Sequence, residues 1–301
     1  MSNRTLITGG SGFIGQHYIA AALAAGEQLT VLSRDPAAAQ RRLPQSAQLD
    51  FIDSIDALER CAPFDRLLNL AGEPLAEGRW SQRRKAAFYA SRVTLTEQLV
   101  AKFTELGHAP SVVVSGSAIG YYGHGSEPLG EDGSPSDGFS HQLCRAWEQA
   151  ALGFEDLGAR VVLLRTGIVL GEQGALQKML PAFKLGLGGP IGSGQQWMSW
   201  VHIDDMVGLI AHAFNCAELC HGFNATAPFA VTNRDFAHQL GQALRRPAVL
   251  PMPALAVKLL FGEMGVELLL NGQNILPAKA LESGYQFAYP ELGSALQSLL
   301  K

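Results

Sequence analysis

Cysteine is scarce: there are four in 301 residues, and Cys61 and Cys144 each stand alone in the sequence. That density excludes a disulfide framework and fits a reducing, cytoplasmic setting. Charge is thin as well. Charged residues make up 17% of the chain and the formal net charge is −4, so no broad basic field exists to attract nucleic acid or an anionic membrane. The most apolar stretch, 248–261, is broken by Pro251, Pro253 and Lys258, and it falls short of the roughly 20 residues a bilayer span needs. The opening MSNRTLITGG offers neither a basic leader nor an apolar signal core. Internal repeats, low-complexity tracts and long charge runs are also lacking. What is present is a lightly charged globular chain, 47% hydrophobic with 33 glycines. Its expected partner is a small molecule, with no nucleic acid and no membrane.

Through the first half, short apolar β-rich runs alternate with helical patterns, the signature of successive βαβ units. Strands are predicted at 4–8, 28–33, 67–70, 112–115 and 160–165, with helices at 14–25, 82–106 and 140–157. Beyond Gly171 the alternation gives way to helical pieces separated by Pro and Gly, including GLGGPIGSG at 186–194. Thr232 or Asn233 can cap a helix through 236–244, and the tail from Glu291 reads as a last helix. The fold class is therefore α/β, a doubly wound parallel sheet with a smaller, mostly helical C-terminal lobe.

Residues 7–15 read ITGGSGFIG, with Gly10, Gly12 and Gly15 in G-x-G-x-x-G spacing between a strand and a helix. Glycines there allow a tight turn and close approach of the backbone to a pyrophosphate. The N–H groups and dipole at the helix N-terminus stabilise its charge. Strand, loop, helix and second strand follow in order, so the pattern reads as a dinucleotide site on a Rossmann domain. At the end of the second strand, where the ribose is read, stand Ser33, Arg34 and Asp35. Ser33 and Arg34 can donate to a 2′-phosphate, which favours NADP(H) over NAD. The competing reading makes Asp35 the ribose acceptor. Residues 1–170 then form the NADP-binding domain, with 195–230 returning to it, and 171–301 the smaller substrate-side lobe.

The TGxxGFIG form of this loop, NLAG at 69–72, the S-x-x-x-Y of Ser117 and Tyr121, and VHIDD at 201–205 together resemble the extended short-chain dehydrogenase/reductases. More narrowly, NLAGEPLAEGRW at 69–80, SR at 91–92, GLGGPIGSGQQWMSWVHIDD at 186–205 and N-A-x-A-P at 224–228 resemble the atypical "epimerase family" subgroup (NAD-dependent epimerase/dehydratase-like). These matches cover nearly the whole chain. The resemblance implies that Gly9, Ser11, Gly12, Phe13 and Ile14 meet the cofactor phosphates, and Ser33 with Arg34 the adenosine side. It also implies that Leu70, Ala71 and Gly72 line the path to the nicotinamide, that Arg92 approaches it from a helix, and that Thr166 and Ile168 border it. It leaves a homodimer open.

Members of the superfamily use a Ser together with a Tyr-x-x-x-Lys pair, and here that pair is absent. Aligned on Glu148, the tyrosine position holds Ser140 and the lysine position Cys144. A free phenol has a pKa near 10 and needs a neighbouring cation to ionise, so this departure removes the usual acid/base. Ser117 remains, and Tyr121 or Tyr122 is the candidate replacement acid with Arg145 as the stabilising charge. Glu73 and Arg79, with Gln196, Trp200 and His202 from the second lobe, are candidate substrate contacts, whereas Asp205 reads as structural. His212, Cys216 and Cys220 recur every four residues. Three ligands along one helix span about 12 Å, too far for one ion, so they read as a buried helix face and no metal is expected.

The leading reading is an NADP(H)-binding oxidoreductase-like protein acting on a small carbonyl, alcohol or sugar-nucleotide-like substrate. Hydride would pass to or from a carbon held by Ser117. Loss of Tyr-x-x-x-Lys favours the alternative, a non-catalytic NADPH-responsive regulator or scaffold. A nucleotide-sugar epimerase, which returns its hydride to the same sugar, is the third reading.

Overall fold

The central strands are near-continuous apolar runs because both faces of the sheet they build are covered. In the computed structural model, which describes residues 3–300, seven strands form one sheet. They are β1 (Arg4–Thr8), β2 (Gln28–Leu32), β3 (Leu49–Ile52), β4 (Arg66–Asn69), β5 (Val112–Ala118), β6 (Arg160–Thr166) and β7 (His221–Ala225). All pair in parallel, in the order β7-β6-β5-β4-β1-β2-β3. The sheet grows first through β2 and β3, then restarts at β4 on the other side of β1. Sheets of this order place their ligand crevice at that switch point, outside the carboxyl ends of β1 and β4.

Helices α1 (Phe13–Ala24), α2 (Pro36–Arg42), α3 (Gln82–Tyr89), α4 (Leu95–Leu106) and α5 (Phe139–Leu152) connect these strands. In the second half, α6 (Ala175–Lys184), α7 (Ile203–Asn215) and α8 (Asn233–Leu244) follow. Successive strand residues point to opposite faces. Leu6, Leu67, Val113 and Val161 pack with Leu99 and Phe103 of α4 and Ala151 of α5. Their neighbours Ile7, Leu68, Val114 and Val162 pack with Ile19 of α1 and Leu209 and Ile210 of α7.

The pattern alone shows neither β3 nor β7. β3 is an edge strand carrying Asp50, and β7 reads HGFNA. Its polarity has a local cause: a Cβ at Gly222 would sit 2.7 Å from Arg165 Cζ, and Asn224 is a hydrogen-bond node. The single helix expected over 82–106 is two helices joined by a π-helical turn, Ala90–Thr94. That turn sets Arg92 against Gly72, where a Cβ would lie 2.7 Å from the guanidinium carbon. The expected helix face of His212, Cys216 and Cys220 also does not form, because α7 ends at Asn215 with Cys216 as its cap.

The second lobe packs α6, α8 and the helix Leu292–Leu299 around Trp200, Phe236 and Leu240. Thr232 caps α8, its Oγ1 accepting from Asp235 N at 3.2 Å. Two parallel pairings tie the lobe to the sheet domain. Residues 168–170 pair with 200–202, and Asn274–Ile275 with Pro128–Leu129 from the loop after β5. Among the described residues no helix is long and apolar enough to cross a membrane.

Candidate functional site

At the carboxyl end of β1 the chain turns through Gly9, which has φ +68°; a Cβ there would lie 2.6 Å from Leu70 C. A Cβ at Gly15 would lie 2.5 Å from Gly9 O. The conformational demand therefore falls on Gly9 rather than Gly10, which instead gives close helix-to-strand packing against Ile19 and Val31. The working spacing is Gly9, Gly12, Gly15. α1 starts at Phe13 with no side-chain cap and no acidic residue in its first turn. Its leading N–H groups thus face the crevice as an anion cradle, flanked by Ser11. Phe13 packs its ring under Gly171, where a Cβ would meet Phe13 Cζ at 2.4 Å, so this side chain fixes the loop against the second lobe.

The carboxyl end of β2 supplies the adenosine side. Asp35 Oδ1 accepts from Ala38 N at 2.9 Å and caps α2. Its carboxylate is engaged, which argues against Asp35 as the ribose acceptor. Ser33 Oγ donates to Asp35 O at 3.1 Å. The Arg34 side chain is 93% exposed, and its Nη2 is 3.3 Å from Glu73 Oε1. Glu73, expected at the substrate, stands here across the crevice mouth from Arg34.

Between these ends lies a buried polar chain. Thr8 Oγ1 donates to Asn69 Oδ1 at 2.7 Å, and Asn69 Nδ2 donates to Thr96 Oγ1 and Ser115 Oγ. Trp147 Nε1 donates to Thr96 Oγ1, and Ala71 N donates to Thr8 Oγ1. These bonds hold the turn Leu70–Gly72 beside the glycine loop. Arg92 Nη2 donates to Glu73 O at 2.9 Å, its guanidinium lies 5.3 Å from the Trp147 ring centre, and burial lowers its pKa.

At the end of β5 the side chains form a second network. Ser117 Oγ donates to Glu148 Oε1 at 2.6 Å, and Arg165 grips the same carboxylate through Nε and Nη2, both at 2.9 Å. Arg165 Nη1 donates to Tyr122 Oη and to Glu131 O, and Tyr122 Oη donates to Asn224 Oδ1 at 2.8 Å. Glu131 accepts from the N–H groups of Asn224 and Lys279, and burial raises its pKa. Burial disfavours the Arg165 cation, but Glu148 outweighs this and holds it charged, with its pKa raised. Ser117, Tyr122, Glu148 and Arg165 are all more than nine-tenths buried. Tyr122 is therefore a structural phenol, its pKa pushed up by burial, and not an accessible acid. Arg145 lies on the exposed face of α5, away from Cys144, and does not join the site. Tyr121 is half-buried, with Arg165 Cζ 3.6 Å from its ring centre; no hydrogen bond to its hydroxyl is formed among the described residues.

The second-lobe candidates divide. Trp200 is fully buried and donates through Nε1 to Phe229 O. His202 is 3% exposed, accepts from Asp204 N to cap α7, and stacks on Tyr289 at 3.8 Å. Both are core residues rather than substrate contacts. Asp205 accepts from Ala288 N, Tyr289 N and Tyr285 Oη, so it anchors the C-terminal segment. Gln196 Nε2 donates to Ile191 O and Leu269 O, and Arg79 Nη2 donates to Leu259 O. These two bridge segments around the crevice. Thr166 and Ile168 flank Gly167, whose Cα lies so close to Ser199 O that a Cβ would stand 2.7 Å from it.

Residues 5–221 match the model of the NAD dependent epimerase/dehydratase family. The chain belongs to that family. Residues 252–299 match a further domain of unknown function. Within the family the chain is similar to "Epimerase family protein SDR39U1" of Homo sapiens, 35% identical over 99% of each chain. It is also similar to the chloroplastic homolog of Arabidopsis thaliana, 37% identical over 98% of this chain and 86% of that one. The crystal structure of the human protein with NADPH matches with a TM-score of 0.88 at 34% identity, covering 99% of both chains. UDP-glucuronic acid 4-epimerase of Bacillus cereus, solved with UDP-glucuronic acid and NAD, shares the fold, with a TM-score of 0.79 at 16% identity.

Against the family's Tyr-x-x-x-Lys pattern, α5 of this member places Ser140 and Cys144 beside Gly120 at the end of β5. A Cβ on Gly120 would be 3.1 Å from Ser140 Cβ and 3.8 Å from Cys144 Sγ. Burial, with Glu148 nearby, pushes the Cys144 thiol up to about 11, so it stays neutral and supplies no lysine-like charge. Ser140 Oγ donates to Glu267 Oε2 of the second lobe at 2.8 Å. Neither Glu267 nor the Glu148–Arg165 pair was legible as site machinery, since their partners lie 127 and 17 residues away.

Proposed function

We propose that this chain is an NADP(H)-dependent oxidoreductase acting on a small carbonyl, alcohol or sugar-nucleotide-like molecule in a reducing compartment such as the cytoplasm. The observation that carries the cofactor is the pairing of the Gly9–Gly15 cradle, where Gly9, Gly12 and Gly15 leave the backbone open, with a β2 end that offers Ser33 and Arg34 while Asp35 caps α2. A pyrophosphate fits the cradle, and a 2′-phosphate fits beside Arg34 once that side chain leaves Glu73. Its similarity to a human protein crystallised with NADPH supports the same choice. Leu70, Ala71 and Gly72 would border the ribose, Thr166 and Ile168 the nicotinamide ring. When bound, the nicotinamide supplies or receives hydride. The protein's part is to orient the substrate at the end of β5 and to exclude water there. Arg79 helps by tying the sheet domain to Leu259 of the second lobe, and Gln196 braces that lobe internally.

A second reading, a cofactor-responsive regulator, is favoured by the commitment of Ser117 to Glu148. One experiment separates the two. A metabolite extract is incubated with the protein and NADPH deuterated at the transferable position, and calorimetry measures NADPH and NADH binding. Protein-dependent deuterium in one metabolite, with NADPH bound more tightly than NADH, is the expected result. Tight NADPH binding with no label in any metabolite overturns the oxidoreductase and leaves the regulator.

A further inference from the structure

The buried carboxylates of this molecule are well supplied with donors, whereas the half-buried Glu267 is not. Glu148 accepts from Ser117 and twice from Arg165, Asp205 from three groups, and Glu131 from two backbone N–H groups. Glu267 is half-buried, forms no ion pair among the described residues, and has a single bond, from Ser140 Oγ at 2.8 Å. A half-buried carboxylate held by one hydroxyl keeps oxygen lone pairs free for a ligand.

Its position adds to this. Ser140 stands where relatives of this fold carry the acidic tyrosine, and it faces Gly120 at the end of β5 beside Cys144. A serine is too short to replace a phenol, but the Glu267 carboxyl lies one hydrogen bond beyond it. Glu267 belongs to a π-helical turn, Val266–Leu270, a rare conformation that recurs at functional sites. The turn is pinned: Gln196 Nε2 donates to Leu269 O at 2.8 Å and Asn271 N to Val266 O at 3.0 Å. Ser199 Oγ donates to Gln273 O just beyond it.

We propose that Glu267, delivered by the second lobe and oriented by Ser140, is the residue that exchanges a proton with the substrate oxygen. This deepens, and rests on, the oxidoreductase reading above. In the reducing direction the carbonyl carbon of the substrate gains hydride and its C=O π bond opens onto oxygen. That oxygen takes the proton of the Glu267 carboxyl, NADPH becomes NADP⁺, and Glu267 recovers a proton from water. In the oxidising direction the Glu267 carboxylate accepts the alcohol proton. Ser140 acts through Glu267 and is a positioning residue.

The test uses the full chain and the deuterated NADPH assay, with Glu267→Gln, Glu267→Asp, Ser140→Ala and Tyr121→Phe. Glu267→Gln is expected to lose deuterium transfer by about a hundredfold or more while NADPH affinity holds within about twofold. Glu267→Asp should restore part of the rate, and Tyr121→Phe tests the phenol as the rival acid. The second readout needs no turnover. With glutamate ¹³C-labelled, NMR reads the Glu267 carboxyl resonance at fixed pH. Ser140→Ala should displace that resonance, because the hydroxyl that donates to Oε2 is gone. Transfer by wild type and Glu267→Gln alike overturns the inference alone, as does loss in Tyr121→Phe with retention in Glu267→Gln. An unmoved carboxyl resonance in Ser140→Ala overturns the positioning role. No transfer by wild type overturns the oxidoreductase reading and this inference with it.

Discussion

At the β1 end of the crevice the surface is main chain: Gly9 turns with positive φ, Gly15 lies under Gly9 O, and uncapped N–H groups of α1 line the wall. At the β5 end it is side chain throughout, with Ser117, Glu148, Arg165, Tyr122 and Asn224 linked by direct hydrogen bonds. The first surface needs glycine at a few positions within seven residues, Gly9, Gly12 and Gly15. The second needs partners drawn from β5, α5, β6 and β7. The backbone-built end can therefore be kept by a short motif while the side-chain-built end changes, and here it has changed, since no Tyr-x-x-x-Lys pair survives. Common cofactor and divergent chemistry are separable within one fold.

The sharpest way to break the comparison is Arg165→Met. It leaves the Glu148 carboxylate buried without its cation and should cost about 3–5 kcal/mol of stability by chemical denaturation. A loss below about 1 kcal/mol would mean the network is an ornament of the core rather than its framework. Gly15→Ala attacks the other end. The added methyl would sit 2.5 Å from Gly9 O, so the loop must shift: NADPH affinity should fall about a hundredfold, near 2.7 kcal/mol, and the denaturation midpoint should fall with it. Affinity retained in that variant would sink the cradle assignment. Arg34→Ala sharpens the contrast within the backbone-built end. NADPH binding should weaken by about tenfold and NADH binding by less than about twofold. Equal losses would return the ribose contact to another residue.

The smallest effect is a pH dependence. Burial lowers the His202 pKa, so this ring stays neutral in the fold while the unfolded chain takes a proton from about pH 6.5 downward. Its contribution is complete above that pH and is lost as pH falls through the window beneath it. In His202→Asn, measured by thermal melts between about pH 5 and 7, the slope of stability against pH should flatten.

How much was legible follows the same division. The glycine loop declares itself because strand, turn and helix are contiguous, and the both-faces-buried strands β1, β2, β4, β5 and β6 declare themselves as apolar runs. β7 does not, because Gly222 and Asn224 serve Arg165 and Tyr122 rather than the sheet's hydrophobic pattern. Trp200 and His202 sit within a motif-like stretch, yet burial claims them, and sequence shows polarity but not depth. Tyr121 and Tyr122 are neighbours of one residue type with different fates, decided by which phenol reaches Asn224. The register of Ser33 and Arg34 against Asp35 becomes readable only once Asp35 is seen capping α2.

The return of residues 221–225 to the outer side of β6 bears on how the chain is made. As it leaves the ribosome, β6 pairs with β5 on one side while its other edge stays bare until 55 further residues, from 167 to 221, have emerged. That edge belongs to Val161–Leu164, as apolar as any strand in the molecule. Nascent or truncated chains ending before residue 221 would carry an open, sticky strand, the kind of template on which polypeptides aggregate.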